Sequence, residues 1–142
     1  MSFDRSGYSD GDCHNDWAWI RWRGAGASAI PGKRGQAFLR ELLAALDALP
    51  QPRLIEGSLV REPGLVTEGG VCALGAVARA RGMDTADLDA DSDREEIAKA
   101  FGLPESLAAE IMYENDWLAR ITPEERFRRV REWVVKQIKV QP

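Results

Sequence analysis

The chain has 142 residues, 44% of them apolar and 30% charged, with a formal net charge of −4. Length and composition fit one ordinary globular domain with a real core, and no apolar run approaches the roughly 18 residues that a membrane span needs. Two cysteines are too few for a disulfide framework, and the opening MSFDRSGYSDGD lacks the basic-then-apolar pattern of a secretory signal, so a reducing cytoplasm is the expected setting.

The net charge hides a segregation. Residues 1–40 carry six Lys/Arg against four Asp/Glu, a net of +2. Residues 41–122 carry seven against sixteen, a net of −9, and residues 123–142 carry six against three, a net of +3. A basic start, an acidic middle and a basic end can attract one another within one fold or present opposite faces to different partners.

Residues 1–15, rich in Ser, Gly and Asp, read as a disordered or loosely attached leader, and residues 16–142 as a single helical domain. Asp16 can cap a helix that starts near Trp17 and stops at Pro31-Gly32. It carries Trp17, Trp19 and Trp22 beside Arg21 and Arg23. From about Gly35 to Leu49 the residues Phe38, Leu39, Leu42, Leu43, Leu46 and Leu49 recur at three and four residue steps, one apolar stripe of a helix that Pro50 and Pro52 end. Lys33 and Arg34 stand at its mouth. A helix start already bears partial positive charge, so two cations there call for a negative group, whether an internal carboxylate, a partner's carboxylate or a phosphate.

The 53–70 connector offers a small β-hairpin, with Leu54-Ile55 pairing Leu65-Val66 between glycines and prolines. Val71–Arg81 reads as an apolar helix closed by Gly82, with Cys72, Leu74, Gly75 and Val77 central to the core. Ser92 and Glu95 form a capping box for a short helix to Phe101, closed by Gly102. Pro104 suits the first turn of a helix that ends near Asn115-Asp116, and Thr122-Pro123-Glu124-Glu125 opens the last one. Phe127, Val130, Val134 and Ile138 share one face of that helix, with Arg126, Arg128, Arg129 and Arg131 mostly on the others. The predicted fold class is all-α, a bundle of about six helices.

Few chemical motifs survive inspection. GAGASAIPGKRG approximates a phosphate-binding loop, but Ala27 takes the place of the first glycine and Arg34 that of the hydroxyl residue, and no parallel-sheet pattern surrounds it. MDTADLDADSDREE places Asp87, Asp89 and Asp91 like half of a calcium loop, yet Ser92 stands where glycine is required and Ala98 where the bidentate glutamate is required. His14 beside Cys13 sits in the leader, a poor metal site and a remote base for any triad. The reading is therefore no catalytic residues, no metal and no cofactor.

Two surfaces remain. Asp84, Asp87, Asp89, Asp91, Asp93, Glu95 and Glu96 set seven acids against one base in residues 84–96. They form either a solvated face or a patch for a basic surface of another protein. Trp17, Arg21, Arg23, Lys33 and Arg34 form a basic, aromatic segment suited to an anion or a partner. Of the other tryptophans, Trp133 suits core packing and Trp117 exposure.

The segments GKRGQAFLRELLAALDALP, GGVCALGAVARARG, IMYENDW and TPEERFRRVREWV resemble a group of short phage and prophage proteins, over most of the chain from Trp17 to Val135. Cys72, Leu74, Gly75, Asn115 and Asp116 carry a looser likeness to other phage and plasmid proteins, from which Trp117 departs by replacing an acidic residue. The resemblance implies an accessory role in a phage-infected host cytoplasm. The expectation is a non-enzymatic binding protein, a counter-defence inhibitor of anti-CRISPR type, that contacts a host protein or protein complex through the acidic or the Arg/Trp surface. The alternative is a nucleic-acid-binding accessory protein using the basic 21–34 segment and the C-terminal helix.

Overall fold

The computed structural model describes residues 30–64, 69–85, 88 and 94–139. Within them lie five helices and a two-stranded antiparallel sheet: α1 (Lys33–Asp47), β1 (Val60–Arg61), β2 (Gly70–Val71), α2 (Ala73–Arg81), α3 (Arg94–Phe101), α4 (Glu105–Asp116) and α5 (Pro123–Gln137). The helix expected over residues 16–30 lies outside the described residues, apart from Ile30. So does the 1–15 leader. None of the five helices is long and apolar enough to cross a membrane.

The apolar stripe of α1 is buried as its spacing predicts: Phe38, Leu39, Leu42, Ala45 and Leu46 all join the core. One cluster unites them with Leu54 and Leu59 of the connector, Leu74 and Val77 of α2, Ile97 and Phe101 of α3, Leu107 and Ile111 of α4, and Val130 and Val134 of α5. Helix α1 packs on α2 and α5, α3 on α4, and α4 on both α2 and α5. Gly82 and Gly102 end α2 and α3 in the left-handed region, with φ of 68° and 71°, which lets Met83 N–H reach Ala78 O and Leu103 N–H reach Ala98 O, each at 2.9 Å.

The observed two-stranded pairing uses other residues than Leu54-Ile55, whose expected partners Leu65-Val66 lie outside the described residues. Val60 pairs with Val71 and Arg61 with Gly70. Leu54 and Ile55 are buried instead, and their N–H groups donate to Pro123 O (3.1 Å) and Val71 O (2.9 Å). The connector is thus laced to β2 and to the start of α5. The Cys72-Ala-Leu-Gly75 stretch follows from that lacing. Cys72 N–H donates to Leu59 O at 3.0 Å, and the Cys72 thiol caps α2 by accepting from Gly75 N–H at 3.4 Å. A Cβ on Gly75 would lie 1.9 Å from Leu59 O, so only glycine lets the connector cross α2 this closely.

The charged segments meet within the fold. Arg131 of α5 donates to Asp47 at the end of α1 (2.7 and 3.2 Å), and Arg53 lies 3.2 Å from Glu124. Arg81 makes a bidentate contact with Glu41 (2.7 and 2.6 Å) and stands 5.7 and 5.9 Å from the ring centroids of Phe38 and Phe101, joining α1, α2 and α3. These hydrogen bonds, backed by the arginine charge, hold the Glu41 and Asp47 carboxyls below the usual carboxylate range despite partial desolvation.

Candidate functional site

The turn between α4 and α5 holds the densest polar construction in the described residues. Asn115 is 2% exposed, Asp116 2% and Arg126 3%. Of the four arginines expected mostly off the core face of the last helix, Arg126 is the one that is buried. Its side chain turns inward because α4 ends beside it. A helix end leaves carbonyls without partners and carries partial negative charge, and a buried guanidinium answers both. Arg126 donates to Asn115 O and to Leu118 O (the latter at 2.7 Å) and lies 3.4 Å from the Glu56 carboxylate.

The Asn115 amide completes the brace. Its Oδ1 accepts from Ala73 N–H, the first residue of α2, at 3.0 Å. Its Nδ2 donates to Ile55 O at 2.9 Å and to Asp116 Oδ1 at 2.7 Å. Asp116 Oδ1 also accepts from Gly57 N–H at 3.4 Å. One short polar pair thus pins the connector, α2, α4 and α5 together. These hydrogen bonds end mainly on the protein's own backbone, so the Asn-Asp pair ties the fold together.

On the outer side of the same turn lies a cleft of about 200 Å³. Trp117, Leu118 and Ile121 line it from the turn, and Arg126, Arg129, Trp133 and Lys136 from one stripe of α5, with Glu114 and Glu132 at its edges. The stripe 126–129–133–136 runs alongside the core stripe 127–130–134–138 of the same helix, so the cleft borders the core-facing side of α5. Trp117 is 47% exposed and stacks on Tyr113, one turn earlier in α4, with centroids 6.1 Å apart and planes 15° from parallel. Trp133 is partly buried against the core. The exposed aromatic is therefore held in place by a neighbour rather than left loose. Arg120, in the left-handed region at φ 63°, lets the turn fold back toward α5.

The surfaces expected from the sequence are only partly within view. Trp17, Arg21 and Arg23 lie outside the described residues, as do Asp87, Asp89, Asp91 and Asp93. Asp84, Glu95 and Glu96 are exposed, the last two in the first turn of α3, where acids complement the helix dipole. Lys33 and Arg34 fall inside the first turn of α1, not before it, and both are exposed. Among the described residues no carboxylate pairs with either. What meets the start of α1 is the end of α5: the Gln36 amide donates to Ile30 O and Gln137 O at 2.9 Å and accepts from Lys139 N–H at 2.7 Å. The positive end of one helix thus lies beside the negative end of the other.

Sequence reasoning places Trp117 at the surface and Trp133 toward the core, but it does not bring them to one cleft. The signal was there in the 126–129–133–136 spacing, masked by the stronger core stripe beside it. No protein family, curated protein or solved structure matches the chain.

Proposed function

We propose that the protein is a non-enzymatic binding protein that acts by contact with a partner protein, using the cleft at the α4–α5 turn. The observation that carries this reading is Trp117, a large aromatic 47% exposed and braced against Tyr113, at the rim of a cleft that also holds Trp133 and Arg129. Trp, Tyr and Arg are the residues that dominate binding energy at protein interfaces, because they bring large area at small entropic loss. A rigid, pre-positioned aromatic reduces that loss further.

The buried polar groups support a binding role over a catalytic one, since Asn115 and Arg126 are committed to backbone groups of the fold. Phage likeness in the sequence supports a host protein or complex as the partner, with obstruction of a host defence complex, a CRISPR effector among them, as the biological use. The acidic 84–96 segment and the basic, aromatic 17–34 segment are further contact surfaces in this reading. The nucleic-acid alternative draws less support from the C-terminal helix. Arg128 pairs with Glu125 and Glu132, Arg129 with Glu125, and Arg131 with Asp47, so much of the basic charge of α5 is answered internally.

The test is capture of a partner from lysate of a bacterial host, followed by titration of the purified partner with wild type and Trp117→Ala. Loss of about 2 kcal/mol, roughly thirtyfold in affinity, is expected for a hot-spot tryptophan. Equal affinity for the variant would remove the cleft from the interface, and capture of nothing above control would remove the binding role.

A further inference from the structure

A second cleft, of about 220 Å³, opens between the segment that follows α1 and the β1–β2 hairpin. Among the described residues three arginines line it, Arg53 from the connector, Arg61 from β1 and Arg79 from the last turn of α2, against one acid, Glu62. In a chain of net charge −4 this is a concentrated positive spot. Arg53 Nε lies 3.2 Å from the Glu124 carboxylate, and one Arg61 NH2 group donates to Glu56 O at 3.4 Å. Among the described residues no carboxylate lies within ion-pair distance of Arg61 or Arg79.

We propose that this cleft binds a phosphate ester. Guanidinium groups present planar, paired N–H donors that match the oxygens of a phosphate, and a dianion would answer Arg61 and Arg79, the two arginines of the cleft without a carboxylate partner among the described residues. The arginines stand beside Val60 and Val71, so the cleft offers apolar wall as well as charge. That combination favours an ester with an organic moiety over bare phosphate. Its volume is below the roughly 300–1,000 Å³ of pockets for drug-sized ligands, so the bound part is compact. The phosphate ester belongs either to a free, mononucleotide-sized molecule or to the backbone of a nucleic acid strand. This inference stands apart from the aromatic cleft at the α4–α5 turn.

The experiment is isothermal titration of the full chain at low ionic strength with inorganic phosphate, adenosine monophosphate and adenosine. The monophosphate is expected to bind more tightly than inorganic phosphate, and adenosine to give no saturable heat. Arg61→Gln and Arg79→Gln are each expected to weaken the monophosphate about tenfold, as loss of a charge-assisted hydrogen bond does. Both side chains reach solvent and neither supports the core, so the melting temperature stays at the wild-type value. Trp117→Ala is expected to bind the monophosphate like wild type, which separates this site from partner docking. A ten-residue thymidine oligonucleotide that displaces the monophosphate identifies a nucleic-acid backbone as the source; failure to displace it identifies a free ester. Adenosine binding as tightly as its monophosphate, equal binding by the Arg61→Gln/Arg79→Gln double variant, or no binding of either phosphate probe would each overturn the proposal.

Discussion

Arg126 and Arg129 leave α5 one turn apart and meet opposite fates. The first is 3% exposed and bound to the carbonyls that end α4; the second has a side chain 47% exposed and shares Glu125 with Arg128. The regions they belong to differ in the same way. Around Arg126, Asn115 and Asp116, polar groups are buried and satisfied by backbone. Around Arg129 and Trp117, apolar and charged groups are left open to solvent, with Trp133 half-buried beside them. A buried hydrogen bond contributes little net stability when made but costs much when half of it is removed, whereas an exposed aromatic contributes little to the fold and much to an interface. Inner residues of this corner should therefore report on folding, and outer ones on binding.

The largest effect on the inner side is expected at Gly75. Gly75→Ala forces a methyl group against Leu59 O, 1.9 Å from where its Cβ must sit, and backbone cannot yield as a side chain can. A loss of about 3 kcal/mol or more is expected, lowering the midpoint of thermal unfolding by roughly 10 °C. Asn115→Ala comes next. It leaves Ala73 N–H and Ile55 O without partners in the interior, at about 3 kcal/mol by chemical denaturation. Arg126→Met keeps the volume but strands the Asn115 and Leu118 carbonyls, for about 2 kcal/mol. If Arg126→Met melted like wild type, the brace would not matter to the fold and the contrast between the two sides would fail.

The smallest effect is the pH dependence of the Arg81–Glu41 pair. Arg81 holds the folded-state pKa of Glu41 below its ordinary value near 4.5. A depressed carboxylate pKa stabilises the fold above the unfolded-state pKa, and that stability is lost as pH falls through the lower folded value. Stability should therefore be flat near neutrality and decline below about pH 4. Glu41→Gln should remove less than about 1 kcal/mol near neutrality, because the pair is partly exposed, and should flatten the acid limb. Denaturant melts from pH 3 to pH 7 check both.

Much of the helical framework was legible in the sequence, because its signals are local. The Phe38–Leu46 stripe gave α1, Gly82 and Gly102 gave the ends of α2 and α3, and Thr122 caps α5 by accepting from Glu125 N–H at 3.1 Å, as the Thr-Pro-Glu-Glu pattern predicts. The observed strand pairing was not legible. It depends on where the buried Leu54-Ile55 segment docks, and Ile55 N–H finds Val71 O only once α2 is in place. The inward turn of Arg126 is not legible for the same reason: among four arginines on one helix, periodicity cannot say which one meets the end of another helix. Asn115-Asp116 was legible as a polar helix end but not as the bolt between the connector and α2, through links that span 60 and 42 residues of chain. Of the expected contact surfaces, the acidic run and the first tryptophan cluster lie mostly outside the described residues, while Trp117 stands exposed as its polar setting predicts.

The most direct measurement pairs thermal unfolding of Trp117→Ala with its affinity for the captured partner. The account predicts a melting temperature within about 2 °C of wild type, since an exposed side chain is removed, together with a loss of affinity of roughly thirtyfold. A variant that unfolds early, or one that binds the partner as well as wild type, would contradict it.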